Sequence, residues 1–294
     1  VSATELHYSF ELFPPRTPVG WDKLPQLAAA LAAVQPAYFS VTYGAGGSDQ
    51  NGTYDTLRQV VAQTGIEVVP HLTCVGSSRE AIAALLDQYR EAGVRRIVAL
   101  RGDLPATARS NAAPGEFRYA NELVAFIRER HGEHFALEVA AYPEMHPQAA
   151  NPEADFQAFI TKVKAGASGA VTQYFYNADA YFDFVERCAR AGLDIPVVPG
   201  VMPIVNTQQL LRFSAACGAE IPRWLRLRLE SLGEDKTAVQ DFGLEVVTRL
   251  CEALLKGGAP GLHFYTLNQA EPTLRLWRQL GLPAPRATPP PSPA

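Results

Sequence analysis

The sequence predicts an α/β chain folded as a (β/α)8 TIM barrel, and three observations carry that expectation. Short β-rich runs alternate with longer helical stretches along nearly the whole chain. Runs such as Arg96-Ile97-Val98-Ala99-Leu100 are largely apolar on both faces, as a parallel sheet covered by helices requires. The length of 294 residues suits one such barrel, for which about 250 residues plus insertions is typical. Length alone also allows two smaller domains, but no linker interrupts the series. A doubly wound open sheet usually carries a glycine-rich loop after its first strand. Here that strand runs into Phe13-Pro14-Pro15-Arg16.

Residues 8–14 read as the first strand and 21–34 as a helix with apolar residues at helical spacing. Strand 37–43 and helix 53–64 follow, then strand 67–74 and helix 78–92, whose Ser78 can cap the free amides of its first turn. Strand 96–102 and helix 116–130 close the first half. The second half repeats the plan with strand 136–143, helix 153–165, strand 170–175, helix 179–191 and strand 196–202. Helices then fall at 207–217, 223–229 and 235–255, before strand 261–267 and helix 271–280. Gly93, Gly166 and Gly192 each stand just past a helix, where glycine supplies a left-handed cap. Residues 1–283 therefore form one barrel domain. The proline-rich stretch 284–294 is expected to be a disordered tail.

The formal net charge is −4 and no basic block occurs, which argues against nucleic acid as a partner. Cys74, Cys188, Cys217 and Cys251 are far apart and form no CxxC pair, so no metal site is expected and reduced thiols of a cytoplasmic protein are the natural reading. The N-terminal residues lack the pattern of a secretory signal. No apolar run reaches the roughly 18 residues that a membrane helix needs.

Active sites of such barrels lie at the C-terminal strand ends. Those ends offer Glu11, then Thr42 and Tyr43, His71 and Thr73, Arg101 and Asp103. The later strands offer Tyr142, Glu144 and His146, Gln173, Asn206, and His263, Tyr265, Thr266 and Asn268. No lysine stands among them, so Schiff-base chemistry has no nucleophile. A lining of aromatic and amide groups suits a large, flat, hydrogen-bonding ligand.

Glu11, set among apolar neighbours in Ser9-Phe10-Glu11-Leu12-Phe13, is the leading functional candidate, because an unpaired buried carboxylate is costly. A carboxyl group partly withdrawn from water keeps its proton to higher pH, which suits proton donation. A solvent-facing residue or an arginine ion pair is the plain alternative. Asp103 sits beside Arg101 and Gly102 in what is equally a simple turn. His71 gains interest only from company at neighbouring strand ends. Gln173 could orient an amide-bearing ring or satisfy a nearby backbone group. Tyr174-Phe175-Tyr176 reads as barrel core and rim, and the glycine-rich run after Tyr43 is a weak phosphate signal alone.

Taken in order, these motifs resemble the methylenetetrahydrofolate reductase family. Ser9-Phe10-Glu11-Leu12-Phe13-Pro14-Pro15-Arg16, Ser40-Val41-Thr42-Tyr43-Gly44 and Pro70-His71-Leu72-Thr73-Cys74 carry the likeness. Leu100-Arg101-Gly102-Asp103-Leu104-Pro105, Ala140-Ala141-Tyr142-Pro143-Glu144 and Thr172-Gln173-Tyr174-Phe175 continue it. Pro199-Gly200-Val201-Met202-Pro203 and His263-Phe264-Tyr265-Thr266-Leu267-Asn268 complete it. The likeness spans roughly residues 8–282.

The resemblance implies noncovalent FAD at the top of the barrel, reduced by NADH or NADPH, and a ping-pong reduction of 5,10-methylenetetrahydrofolate to 5-methyltetrahydrofolate that supplies methyl groups for methionine synthesis. It implies Glu11 as general acid, Asp103 beside flavin and pterin, and Gln173 in contact with pterin and nicotinamide. Thr42, His71, Arg101, Gly102, Asp103, Tyr119, Ala120, Tyr142, His146, Asp155 and Lys162 match FAD-contact positions. Gln209, Phe213 and Tyr265 match substrate positions, as do Glu11 and Gln173. Assembly into a homo-oligomer is compatible with the family.

Three positions depart from some members. Gln269 stands where arginine could pair with the folate tail, and Ala158 and Thr161 stand where polar or basic groups assist FAD. Three other readings stay open at the level of sequence. They are a related flavin-dependent barrel oxidoreductase such as one that oxidises proline, a flavin-free barrel lyase or methyltransferase, and a noncatalytic barrel.

Overall fold

A computed structural model describes residues 6–43, 50–102 and 116–283, with only the backbone at 50 and 51. Nine parallel strand segments lie in the order β7-β6-β5-β4-β3-β2-β1-β9-β8. They are β1 (His7–Leu12), β2 (Tyr38–Val41), β3 (Val68–Thr73), β4 (Arg96–Leu100), β5 (Ala136–Ala141), β6 (Gly169–Thr172), β7 (Val197–Val198), β8 (Gly200–Val201) and β9 (Gly261–Tyr265). β7 and β8 are two halves of one stave, separated by Pro199. β7 pairs with β6 and β8 pairs with β9, so eight staves close the predicted (β/α)8 barrel.

The interruption has a chemical cause. Proline has no N–H to give a ladder, while the carbonyl of Pro199 accepts from His263 N at 3.0 Å. Gly200 N then turns to the hydroxyl of Thr172 at 2.9 Å.

The helices are α1 (Pro18–Ala32), α2 (Gln50–Thr64), α3 (Arg79–Glu91), α4 (Ala120–His131), α5 (Pro152–Lys164), α6 (Ala178–Arg190), α7 (Thr207–Cys217), α8 (Arg223–Ser231), α9 (Lys236–Lys256) and α10 (Ala270–Gln279). Ser78 caps α3 as expected, accepting from Ala81 N. Gly93, Gly166 and Gly192 all take positive φ behind their helices. Several boundaries differ from the sequence reading by a few residues, and two helix starts show why. α1 starts earlier, because Thr17 caps it and Pro18 occupies the first turn. α4 starts later, because the carboxylate of Glu122 reaches back to the N–H groups of Arg118 and Tyr119, and Glu116 accepts instead from Arg79 N.

Outward-facing strand residues make the core with the helices. Phe10, Leu12, Phe39, Ile97, Leu137 and Phe264 are fully buried there. Phe10 packs on Phe264 and Trp277 with centroids 5.4 and 5.8 Å apart. Alternate residues turn into the lumen, and the register sets Glu11 beside Ser40 and Tyr265, and Ser9 beside Tyr38 and His263. The tail 284–294 and Asp103 lie outside the described residues. Among the described residues no helix is long and apolar enough to cross a membrane.

Candidate functional site

The mouth of the barrel opens into a cavity of about 460 Å³ lined by Glu11, Thr42, His71, Gln173, Phe213, His263 and Tyr265, among others. A second cavity of about 560 Å³ lies beside it, over β4, β5 and the helices α4 and α5. Arg101, Gly102, Tyr119, Ala120, Tyr142, His146, Asp155 and Lys162 line this second chamber. Leu100, Gly102, Ala140 and Tyr142 line both, so the chambers share a wall.

Among the described residues no arginine pairs with Glu11 in the first chamber. Its carboxylate lies 3.6 Å from His71 Nε2 and 3.9 Å from His263 Nε2. Burial pushes the His71 pKa down, against the opposing pull of Glu11, so the ring is mostly neutral at neutral pH. The far end of β1 is clamped. Asn268 accepts from Phe13 N at 3.0 Å and donates to Phe13 O at 2.8 Å, and Thr266 donates to Glu11 O at 2.6 Å. Polar residues that the sequence placed at a strand end thus fix the backbone that carries Glu11.

Tyr265 projects across the lumen and donates to the carbonyl of Thr172 at 2.7 Å. Burial raises its pKa well above the usual value, which keeps it a neutral donor. Gly200 makes this possible, since a Cβ there would lie 2.6 Å from the Tyr265 ring. The oxygen of Gln173 accepts from Tyr174 N at 3.0 Å, the backbone option of the two that the sequence left open. Its side chain nonetheless borders the first chamber. Tyr174, Phe175 and Tyr176 are buried, as core and rim should be.

In the second chamber Tyr142 and His146 meet edge to face at 4.6 Å. His146 Nδ1 accepts from Gln148 N, so the neutral ring carries its proton on Nε2. Asp155 accepts from His146 N at 2.9 Å. Arg101 is held by Gln148 at 2.6 Å. Lys162 donates to the carbonyl of Ala140. Desolvation pushes its pKa down to about 8, with Asp155 opposing. Gly102, at φ +86°, leaves open the spot where a Cβ would meet Thr73 at 2.8 Å. Tyr119 is an exposed aromatic at the rim. Ala158 and Thr161 also line this chamber, and the Thr161 hydroxyl is spent on Gln157 O.

Among the described positions that match cofactor or substrate contacts of the family, Gln209 alone lines neither chamber. It sits one turn before Phe213 on α7, where its N–H is capped by Asn206. Glu144 is also turned to structure, accepting from Glu220 N at 2.7 Å. The sequence reading missed Ala216 and Cys217, which join Phe213 in lining the first chamber. Their spacing of three and four residues along α7 is the helical signal that could have found them.

The molecule is thus a parallel barrel with two adjoining cavities at the C-terminal strand ends, one lined by a carboxyl group and two imidazoles and the other by cationic and aromatic groups. The profile of the methylenetetrahydrofolate reductase family matches residues 1–281. The 5,10-methylenetetrahydrofolate reductase of Pectobacterium carotovorum is 36% identical over 94% of this chain and 91% of its own. A rice protein named as a probable methylenetetrahydrofolate reductase (NADH) is 36% identical over 94% of this chain and 48% of its own. A solved structure from Clostridium thermocellum, described as an uncharacterised protein binding two copies of 5-methyl-5,6,7,8-tetrahydrofolic acid, matches with a TM-score of 0.63. It is 15% identical, over 93% of this chain and 94% of that one, and speaks for the fold alone. The chain belongs to the methylenetetrahydrofolate reductase family.

Proposed function

We propose that this chain is a cytoplasmic, FAD-dependent enzyme that reduces 5,10-methylenetetrahydrofolate to 5-methyltetrahydrofolate with NADH or NADPH, by a ping-pong mechanism. The observation that carries the reading is the wall shared by the two chambers, with Glu11 in one of them. Their volumes of about 460 and 560 Å³ are of the size that small-molecule and cofactor ligands occupy. The relative named for NADH supports a nicotinamide donor, and the four unpaired cysteines suit a reducing compartment.

The second chamber fits FAD. It offers the cations Arg101 and Lys162 for an anionic diphosphate, aromatic faces at Tyr119, Tyr142 and His146, and the bare backbone of Gly102. Asp155 and Ala120 complete that wall, and Thr42 and His71 extend the contact into the first chamber. Bound there, the flavin would carry hydride between donor and folate. The first chamber takes nicotinamide and folate in turn. Gln173 orients the amide-bearing ring of either, while Phe213 and Tyr265 flank it. Glu11 gives its proton to the amine nitrogen of the folate as the five-membered ring opens. Neutral His71, 3.6 Å from that carboxyl group, adds no cation next to the developing positive charge. Asp103 is assigned to tune the electrostatics of the same region, and Gln209 to the outer end of the folate site. The methyl product serves methionine synthesis.

Turnover with FAD, NADH and methylenetetrahydrofolate, followed by mass analysis of the folate, tests the reading. One 5-methyltetrahydrofolate per NADH consumed supports it. NADH oxidation without a methylated folate, or flavin reduction by proline instead, overturns it.

A further inference from the structure

The break at Pro199 between β7 and β8 has a consequence for the first chamber. The pairing of β6 with β7 ends at Val171 and Val198. Parallel strands exchange evenly spaced bonds, so the next would run from Gly200 N to the carbonyl of Thr172. Gly200 N turns instead to the Thr172 hydroxyl at 2.9 Å, and the carbonyl accepts the phenol proton of Tyr265 at 2.7 Å. Thr172 thus meets β8 with its side chain and keeps its carbonyl for a residue of β9, two staves away.

The residue types suit this exchange. Thr172 is fully buried, and its β-branched side chain has few χ1 choices, which keeps the hydroxyl on Gly200. A Cβ on Gly200 would lie 2.3 Å from the Thr172 carbonyl and 2.6 Å from the Tyr265 ring, so phenol and carbonyl meet directly over the glycine. The Tyr265 ring also meets His263 at 5.3 Å and Tyr174 at 6.2 Å, both edge to face. Those contacts hold its flanks, and the phenol bond fixes its tip. Tyr265 borders the first chamber, while Thr172 and Gly200 stand outside its lining.

We propose that Thr172 is a positioning residue for the substrate chamber: its hydroxyl takes over the ladder bond with Gly200, and its released carbonyl anchors Tyr265 as a fixed wall. A wall set before binding spares the ligand the cost of ordering it. The proposal rests on the reading above that folate and nicotinamide occupy the chamber that Tyr265 flanks. In Thr172→Val the shape stays and the hydroxyl goes. The buried Gly200 N–H then needs another acceptor, and the carbonyl that holds Tyr265 stands next to it. Drawing β8 onto that carbonyl pushes Gly200 into the ring.

The experiment is calorimetric titration of the FAD-loaded protein with 5-methyltetrahydrofolate, for the parent, Thr172→Val, Thr172→Ser, Tyr265→Phe and the Thr172→Val/Tyr265→Phe double variant, with crystal structures of the parent and Thr172→Val. Thr172→Val and Tyr265→Phe should each weaken binding by about 2- to 10-fold, the worth of one net hydrogen bond. Thr172→Ser keeps the hydroxyl and should bind as the parent does. The double variant should be no weaker than Tyr265→Phe alone, and the ring should be displaced in Thr172→Val. Parent affinity in Thr172→Val, even in a less stable protein, overturns the proposal by showing a structural tie only. A full further loss on top of Tyr265→Phe also overturns it, by placing the effect elsewhere, and so does a Thr172→Ser protein as weak as Thr172→Val. Should Thr172→Val not fold, Thr172→Ala, which also lacks the hydroxyl, takes its place. A parent that binds no folate would remove the functional reading, and the anchoring would then stand or fall on whether the ring moves in the variant structure.

Discussion

The carboxylate of Glu11 on β1 and Nε2 of His71 on β3 stand 3.6 Å apart, reaching past β2 to meet. Among the described residues no arginine neutralises the pair, and burial disfavours the charged imidazole. A lone carboxyl group in this setting is suited to hold and give a proton. Glu11→Gln preserves shape and removes that proton. Its folate-driven flavin reoxidation should fall by about 10²–10⁴-fold, the usual worth of general acid–base catalysis. Its NADH-driven flavin reduction should stay within a few-fold of the parent. Stopped-flow comparison of the two steps checks this, and equal loss in both would remove the assignment.

Acid stability carries a signature of His71. Its folded pKa is lowered from the ordinary 6.5 by desolvation. As pH falls through 6.5, the unfolded chain takes up a proton that the folded chain resists, so stability declines with falling pH in that window. Above it the two states bind equally and the effect vanishes. His71→Asn does not titrate there. Its urea midpoint should therefore change less between pH 7.5 and about 5.5 than that of the parent. Parallel slopes would mean that His71 titrates normally.

Cofactor affinity should depend on pH through Lys162, whose pKa in the ligand-free chain is pushed down to about 8. An anionic diphosphate favours the ammonium form. Affinity should be greatest below pH 8 and weaken as pH rises through it. Lys162→Met should bind more weakly at pH 7 and lose most of that slope. Fluorescence titration with FAD from pH 6.5 to 9.5 measures both. A slope unchanged in the variant would place the phosphates elsewhere.

Gly200 is a packing requirement of the site. A Cβ there would fall 2.3 Å from the carbonyl of Thr172 and 2.6 Å from the Tyr265 ring. Gly200→Ala should destabilise the chain by about 1–3 kcal/mol, the range for overpacking, and displace Tyr265 from Thr172. Denaturant unfolding, with a structure of the variant, checks both. A neutral substitution would show that β8 can yield.

The barrel was legible because each strand and helix announces itself locally, through apolar runs and through caps such as Ser78. The chamber walls were legible because most of their polar residues, from Glu11 to Tyr265, stand where strands end. Contacts across the lumen were not legible. Tyr38 and Glu138 lie 100 positions apart and meet only because β2 and β5 face one another across the closed barrel. Nor does a strand end separate a ligand contact from a loop clamp. Asn206 and Asn268 looked like site residues and hold the backbone instead. Gln209 shows the converse, since family likeness placed it at the substrate while it lines neither described chamber.

The central claim is that one chamber serves two substrates in turn against the same flavin. The most direct test mixes the FAD-loaded protein anaerobically with NADH or NADPH in a stopped-flow spectrometer, then adds methylenetetrahydrofolate. The account predicts bleaching of the flavin band by the nicotinamide, followed by its recovery with the folate and formation of 5-methyltetrahydrofolate. Flavin that binds but is bleached by neither nicotinamide, or bleached flavin that the folate cannot restore, would contradict it.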